Sequence, residues 1–214
     1  MSKKPLIIGI TGAGQAGKDT FYQILRNLLF PTYHVKRYAL ADELKKDINP
    51  FLMGKCGVNI FDCTAEQKTL VRPLLVEYGR VKRIQSNGTY WTSIVEKQIS
   101  KDKSDIICIT DIRYAEYKDV DELDWLKKMG GVLVHISRYV VDTKTNIKWF
   151  IPVPNAEEAR NDPILEKNAD YRIQWPTADN EKENLPVNRI PHLLSYGEQF
   201  IEWAKENRHF GNLR

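Results

Sequence analysis

Gly12-Ala13-Gly14-Gln15-Ala16-Gly17-Lys18 has the spacing G-x-x-x-x-G-K. Glycines let the backbone curl until successive N–H groups face one point, which suits an anion such as a phosphate chain. A helix that starts at the end of the loop adds a partial positive charge. A lysine at its last position can bridge the outer phosphates of a nucleotide and follow the charge as a phosphoryl group moves. Asp19 and Thr20 come next, where the motif expects Ser or Thr to hold magnesium. Asp19, directly or through water, and Thr20 are therefore both candidate metal ligands. The same composition would also make a strand-to-helix turn that binds nothing, so the motif needs its context. An apolar run, Leu6 to Thr11, precedes it and an amphipathic segment follows it.

A second acidic position comes from Asp111, directly after the apolar run Ile106 to Thr110 and followed by Ile112-Arg113. An acid after a central strand can hold a magnesium-bound water or orient an acceptor, with Arg113 near the phosphates. A helix cap or turn former would use the same residue type. Arg72, Arg80 and Arg83 gather in the segment Leu70 to Ile84, the last two three residues apart and so on one helix face. Arginine grips phosphate bidentately, as an enzyme joining two anions requires, although a solvated basic face with Lys82 looks alike. Arg138 follows the run Val132 to Ser137 and is a candidate to stabilise a transferring phosphoryl group. Lys144, Lys148 and Arg160 read as surface charge. Trp91, with Tyr90 and Tyr78, has the chemistry to stack on a base, while its apolar spacing also suits plain core.

The elements that must position these residues alternate. Leu6 to Thr11 predicts a buried strand. Phe21, Ile24, Leu25, Leu28 and Leu29 stand at helical spacing up to Pro31. Val35 to Leu40 reads as a second strand, and Asp42 to Ile48 as a short helix with Asp42 near its cap. Residues 49 to 63 read as irregular. Thr64-Ala65-Glu66-Gln67 is a capping box, and Pro73 opens a further helix to about Ile84. Trp91, Ile94, Val95 and Ile99 share one face of the next helix. Asp105 to Thr110 is a central strand covered on both faces. Val120, Leu123, Leu126 and Met129 mark a helix closed by Gly130-Gly131, and Val132 to Ile136 is the next strand. Residues 139 to 168, broken by Pro152, Pro154 and Pro163, read as a lid with a short helix near Asn155 to Arg160. Tyr171 to Trp175 reads as the last strand, residues 176 to 191 as a long connection, and Leu193 to Ala204 as a final helix. This alternation argues for one α/β domain with a mostly parallel sheet, whose ligands bind beyond the carboxyl ends of the strands.

Composition narrows the partners. The chain has 214 residues and a formal net charge of +4, read here as spread along the sequence rather than as a nucleic-acid footprint. No apolar run approaches the ~20 residues that span a bilayer. Cys56, Cys63 and Cys108 show no paired or zinc-binding spacing and suit a reducing compartment.

Several segments together resemble the phage-type deoxynucleoside monophosphate kinases. They are Gly-Lys-Asp-Thr at 17 to 20, Ala41-Asp42-Glu43-Leu44-Lys45, Arg72-Pro73-Leu74-Leu75 to Gly79-Arg80, Trp91, and Thr110-Asp111-Ile112-Arg113-Tyr114 with Glu116. Gly131 to Arg138 and Asn168 to Ile173 fit the same pattern, leaving residues 139 to 167 and 176 to 190 the poorest match. The phosphate loop is specific; the other motifs persuade as an ordered set. The resemblance implies a three-layer P-loop kinase fold over residues 1 to 214, with a five-stranded parallel sheet, an acceptor-binding helical region at about 42 to 101 and an inserted lid at about 139 to 168. It implies transfer of the γ-phosphate of ATP to a deoxynucleoside monophosphate with magnesium. It assigns Lys18 to the donor phosphates, Asp111 and Arg113 to the reaction centre, Arg72 and Arg80 to the acceptor phosphate, and Arg138 to the lid. It also implies a cytoplasmic protein, in a host's cytoplasm where a phage encodes it, with no membrane or stable nucleic-acid partner; homodimerisation is implied by the resemblance alone.

Animal-type phosphomevalonate kinase is similar in its Gly-Lys-Asp loop, whereas dephospho-coenzyme A kinase would show Ser or Thr at position 19. A GTPase switch would carry Asn-Lys-x-Asp, which this sequence lacks. A P-loop nucleic-acid-binding ATPase or polynucleotide kinase would need a basic, aromatic-rich surface.

Overall fold

The computed structural model describes residues 4–116, 120–142, 144–177, 191–207 and 209–210. In chain order the elements are β1 (Leu6–Thr11), α1 (Lys18–Leu29), β2 (Val35–Tyr38), α2 (Leu40–Phe51), a π-helical turn (Leu52–Cys56), α3 (Ala65–Gln85), α4 (Thr89–Ile99), β3 (Ile106–Ile109), α5 (Glu122–Lys128), β4 (Val132–Val141), β5 (Lys148–Phe150), α6 (Ala156–Lys167), β6 (Tyr171–Pro176) and α7 (Pro191–Glu206). Residues 178–190 of the expected long connection lie outside the described residues.

Every side chain of β1 and β3 is buried, because layers cover both faces of the sheet. β1 pairs in parallel with β3 and β4, β2 extends the β3 side and β6 the β4 side, so the parallel order is β2-β3-β1-β4-β6. One face buries Ile8, Ile10, Cys108 and Val134 against Phe21 and Ile24 of α1 and Phe200 of α7. The other buries Ile7, Ile107 and Leu133 against Trp91 and Val95 of α4, Leu126 of α5 and Leu165 of α6. The result is a three-layer α/β fold with five parallel strands. Among the described residues no helix is long and apolar enough to cross a membrane.

Some elements depart from the sequence reading. α2 starts two residues before Asp42, with Ala39 as its N-cap and no cap bond from its own side chains. α2 and the π-helical turn also fill much of the stretch expected to be irregular, because Ile48, Leu52, Val58 and Ile60 form a small core with Val71. Pro73 does not open a new helix: α3 runs through it without a break. Thr69 and Pro73 both lie on the exposed side, where water can take the carbonyl that the missing proline N–H releases. The capping box at Thr64 and Gln67 forms as read, at 3.2 and 3.0 Å.

The segment expected as a lid divides in two. β4 continues to Val141 because Tyr139–Val141 pair antiparallel with β5, making a hairpin arm. Residues 156–167 belong instead to the packed layer: Asn155 caps α6 by accepting the Glu158 N–H at 2.9 Å, and Leu165 is buried in the core beneath.

Candidate active site

The loop after β1 takes the shape its glycines allow. Gly12 has φ +126° and Gly17 φ +94°; a Cβ at the first would sit 2.1 Å from the Ile136 carbonyl oxygen, and at the second 2.6 Å from the Trp175 ring. α1 begins at Lys18, so its N-terminal N–H groups face the loop. Lys18 is nearly buried and its ammonium donates to the carbonyls of Gly12 and Ala13, both at 2.7 Å. Burial first, and Arg113 second, lower its pKa from 10.5 to about 8. The indole N–H of buried Trp175 donates to the Ala16 carbonyl at 2.9 Å, tying the last strand to the loop.

A cleft of about 890 Å³ opens over the carboxyl ends of the strands. Seven cations line it (Lys18, Arg37, Lys45, Lys68, Arg72, Arg113 and Arg138) against three carboxylates, Asp19, Asp42 and Asp111. Its excess of four positive charges equals the net charge of the whole chain, +4. The cleft lining alone therefore carries a local excess of positive charge. Such a cleft focuses its field on a polyanion.

The acids along the wall are engaged. Asp19 accepts from Arg37 Nε at 2.7 Å, Arg37 also donates to Asp42 at 2.7 Å, and Asp42 accepts from Lys45 at 3.0 Å. Asp111 is buried, and burial raises its pKa. Its two oxygens accept the N–H groups of Leu40 and Ala41 at 2.8 and 2.7 Å. Among the described residues no group of three or more His, Cys, Asp or Glu is gathered to hold a metal.

Arg113 is held by its backbone and its side chain. Its N–H donates to Glu122 Oε2 at 2.7 Å, and its guanidinium pairs with Glu158 of α6. Burial pushes the Glu122 carboxyl up to about 8. Beside it Arg83 pairs with Asp121 at 3.0 Å and lies 3.3 Å from the centroid of the Tyr114 ring. The loop after β3 is further bound to α6 by Asn161, which accepts from the Ala115 N–H at 2.9 Å and donates to Glu116 at 3.0 Å.

The cleft thus brings together Gly14, Gln15, Gly17, Lys18, Asp19, Thr20, Arg72, Asp111, Arg113 and Arg138. Three expected substrate residues do not line it. Arg83 is buried in the network under α5. Arg80 pairs with Glu77 one turn back on exposed α3. Trp91 is core, packed against Tyr78 and Tyr90. Arg37, Lys45 and Lys68 line the cleft without having been singled out as site residues. Arg37 could have been found as a charge at the end of β2, Lys45 as the residue one turn after Ala41 in α2, and Lys68 as the residue one turn before Arg72.

No family model matches this chain, and no curated protein matches it. Among solved structures it is similar to a shikimate kinase from Acinetobacter baumannii in complex with shikimate, at 15% identity over 96% of each chain with a TM-score of 0.46. It is also similar to shikimate kinase from Aquifex aeolicus vf5, at 15% identity over 94% of this chain and 98% of that one, with a TM-score of 0.42. Neither likeness bears on the chemistry, which rests on the cleft.

Proposed function

We propose that this chain is an ATP-dependent phosphotransferase that converts a deoxynucleoside monophosphate to the diphosphate. The observation that carries the reading is the cationic cleft, in which a phosphate loop from β1 and α1 meets Lys45, Lys68 and Arg72 from α2 and α3. Cations from two separate parts of the fold suit two anions held together. The helical region 42 to 101 would hold the acceptor, and the arm of residues 139 to 150 would close over the donor. That the acceptor is a deoxynucleoside monophosphate rests on the resemblance in sequence.

In this reading the loop N–H groups and Lys18 hold the donor's outer phosphates. Arg72 and Lys68 hold the acceptor phosphate, and Arg113 and Arg138 meet the charge on the transferring group. An acceptor phosphate oxygen attacks the γ-phosphorus in line, and the bond from that phosphorus to the β–γ bridging oxygen breaks, releasing ADP. The acceptor is already an anion, so no strong general base is needed; catalysis is positioning and charge neutralisation. Magnesium is held elsewhere by one or two carboxylates plus substrate phosphates, a set that Asp19, Thr20 and Asp111 fit although each acid is already hydrogen-bonded. When bound it would neutralise phosphate charge.

A coupled ADP-release assay with ATP, magnesium and each deoxy- and ribonucleoside monophosphate in turn tests the reading. Turnover with one or more deoxynucleotides is expected, with little from ATP alone. Lys18→Ala should lower the rate on the order of 10²–10³-fold or more while leaving the melting curve in place. Turnover with phosphomevalonate alone would replace the acceptor. Silence with every acceptor would reject the kinase.

A further inference from the structure

We infer that Trp149 and Val140 form a stacking platform for the aromatic base of the nucleotide whose phosphates sit on the loop Gly12–Lys18. This rests on the phosphotransferase reading. Alternate residues of β4 face one side of the sheet: Val132, Val134 and Ile136 are buried in the same core as α1, the helix that follows the phosphate loop. Arg138 and Val140 continue that row, and Arg138 lines the cleft. In the antiparallel pair Val140 stands opposite Trp149, so the two side chains share the Arg138 face. Tyr139 and Phe150 stand on the other face, ring against ring at 5.7 Å.

The arm also returns to the right edge. β6 occupies one edge of β4, with the Thr177 N–H on the Tyr139 carbonyl, while the Ile151 N–H takes the Arg138 carbonyl on the opposite edge. That opposite edge is the one β1 uses lower down, so β5 lies beyond the end of β1, on the side of the phosphate loop. Pro154, just past β5, approaches to 3.3 Å from where a Cβ on Gly14 would stand. One strand step of two residues, about 7 Å, separates Arg138 from Val140. A purine attached to phosphates on the loop spans such a gap.

The two side chains are open to a ligand. Trp149 is 63% exposed and Val140 51%, so both present their apolar surface to solvent on that face. Stacking on an indole is tolerant of base identity, since every base offers a π-face.

The test separates the base from the phosphates. Calorimetric titration of the full chain with magnesium tripolyphosphate reads the loop alone, and titration with magnesium ATP reads loop plus base. Trp149→Ala should weaken ATP about tenfold and leave tripolyphosphate unchanged, whereas Trp149→Phe should stay within about threefold of the parent for both. ATP should also quench tryptophan fluorescence in the parent more than in Trp149→Phe. Unchanged ATP affinity in Trp149→Ala, or an equal loss for both ligands, would overturn the platform. Failure of the parent chain to bind tripolyphosphate would reject the phosphate loop itself, and the platform with it.

Discussion

Asp111 caps α2 across a sequence gap of 71 residues: its carboxylate accepts the Leu40 N–H at 2.8 Å and the Ala41 N–H at 2.7 Å. The turn just after β3 therefore fixes the start of the helix that carries Asp42 and Lys45 into the cleft. Ala39, the local cap residue, has no side-chain oxygen to do this work.

Asp111→Asn tests this relationship. An amide offers one oxygen to two donors and turns its NH₂ toward the other, leaving a helix N–H without an acceptor. A loss of about 1–3 kcal/mol is expected in urea unfolding. Phosphate binding at the loop should persist, because Lys18 and the loop N–H groups are untouched. A variant as stable as the parent would remove the capping account.

Much of the frame was legible because the sheet is buried on both faces. A short β-branched apolar run such as Ile106–Ile109 suits a strand covered on both faces, and the phosphate loop needs only local geometry. What the sequence hid depends on distant partners. Asp42 has the residue type of a cap, but Arg37 and Lys45 take its carboxylate and Asp111 performs the capping. Arg83 looks like its neighbour Arg80, yet it is buried against the Tyr114 ring and paired with Asp121. Helical spacing shows that two arginines share a face, not whether that face looks into a cleft. Pro73 suggested a helix start because proline suits a first turn, yet α3 carries it in its interior on the solvent side.

Trp175 should matter to the loop out of proportion to its distance from the chemistry. Its N–H on the Ala16 carbonyl fixes the peptide joining Ala16 to Gly17, and in a trans peptide the Gly17 N–H then points the opposite way. Trp175→Phe keeps most of the packing against Phe21 but leaves the Ala16 carbonyl without that donor. Stability should fall by about 1–3 kcal/mol, and tripolyphosphate affinity should fall with it. Thermal melts with and without tripolyphosphate check both; unchanged affinity would show that the loop holds its shape alone.

Glu122 predicts a pH slope. Its carboxyl is pushed from 4.5 up to about 8 by burial, so between those values the native state holds a proton that the unfolded chain has lost. Stability from this group is therefore full below about pH 4.5 and declines as pH rises toward about 8. Glu122→Gln keeps an oxygen for the Arg113 and Tyr114 N–H groups and cannot ionise. Urea unfolding from pH 5 to 8 should show the parent losing stability relative to the variant as pH rises. Parallel curves would mean that Glu122 is ionised in the native protein throughout.

Lys18 gives a signature that needs no turnover. With its pKa lowered to about 8, the ammonium loses its proton between about pH 8 and 9, while an unfolded lysine would keep it to about 10.5. A polyanion on the loop favours the charged form and draws the pKa back up. Binding near pH 8 to 9 must then take up a proton, and affinity must fall as pH rises above about 8. Near pH 6 the ammonium is already charged and no uptake from this group is due. Titrating tripolyphosphate at pH 8.5 in buffers of different ionisation enthalpy measures the protons directly. About three-quarters of the molecules carry a neutral Lys18 at that pH, so an uptake of up to about 0.75 proton, lost in Lys18→Met, is expected. Zero uptake at pH 8.5 in the parent would mean that the buried ammonium keeps its charge against burial and Arg113, held by the carbonyls of Gly12 and Ala13 and by the charges of Glu158, Asp111 and Asp19.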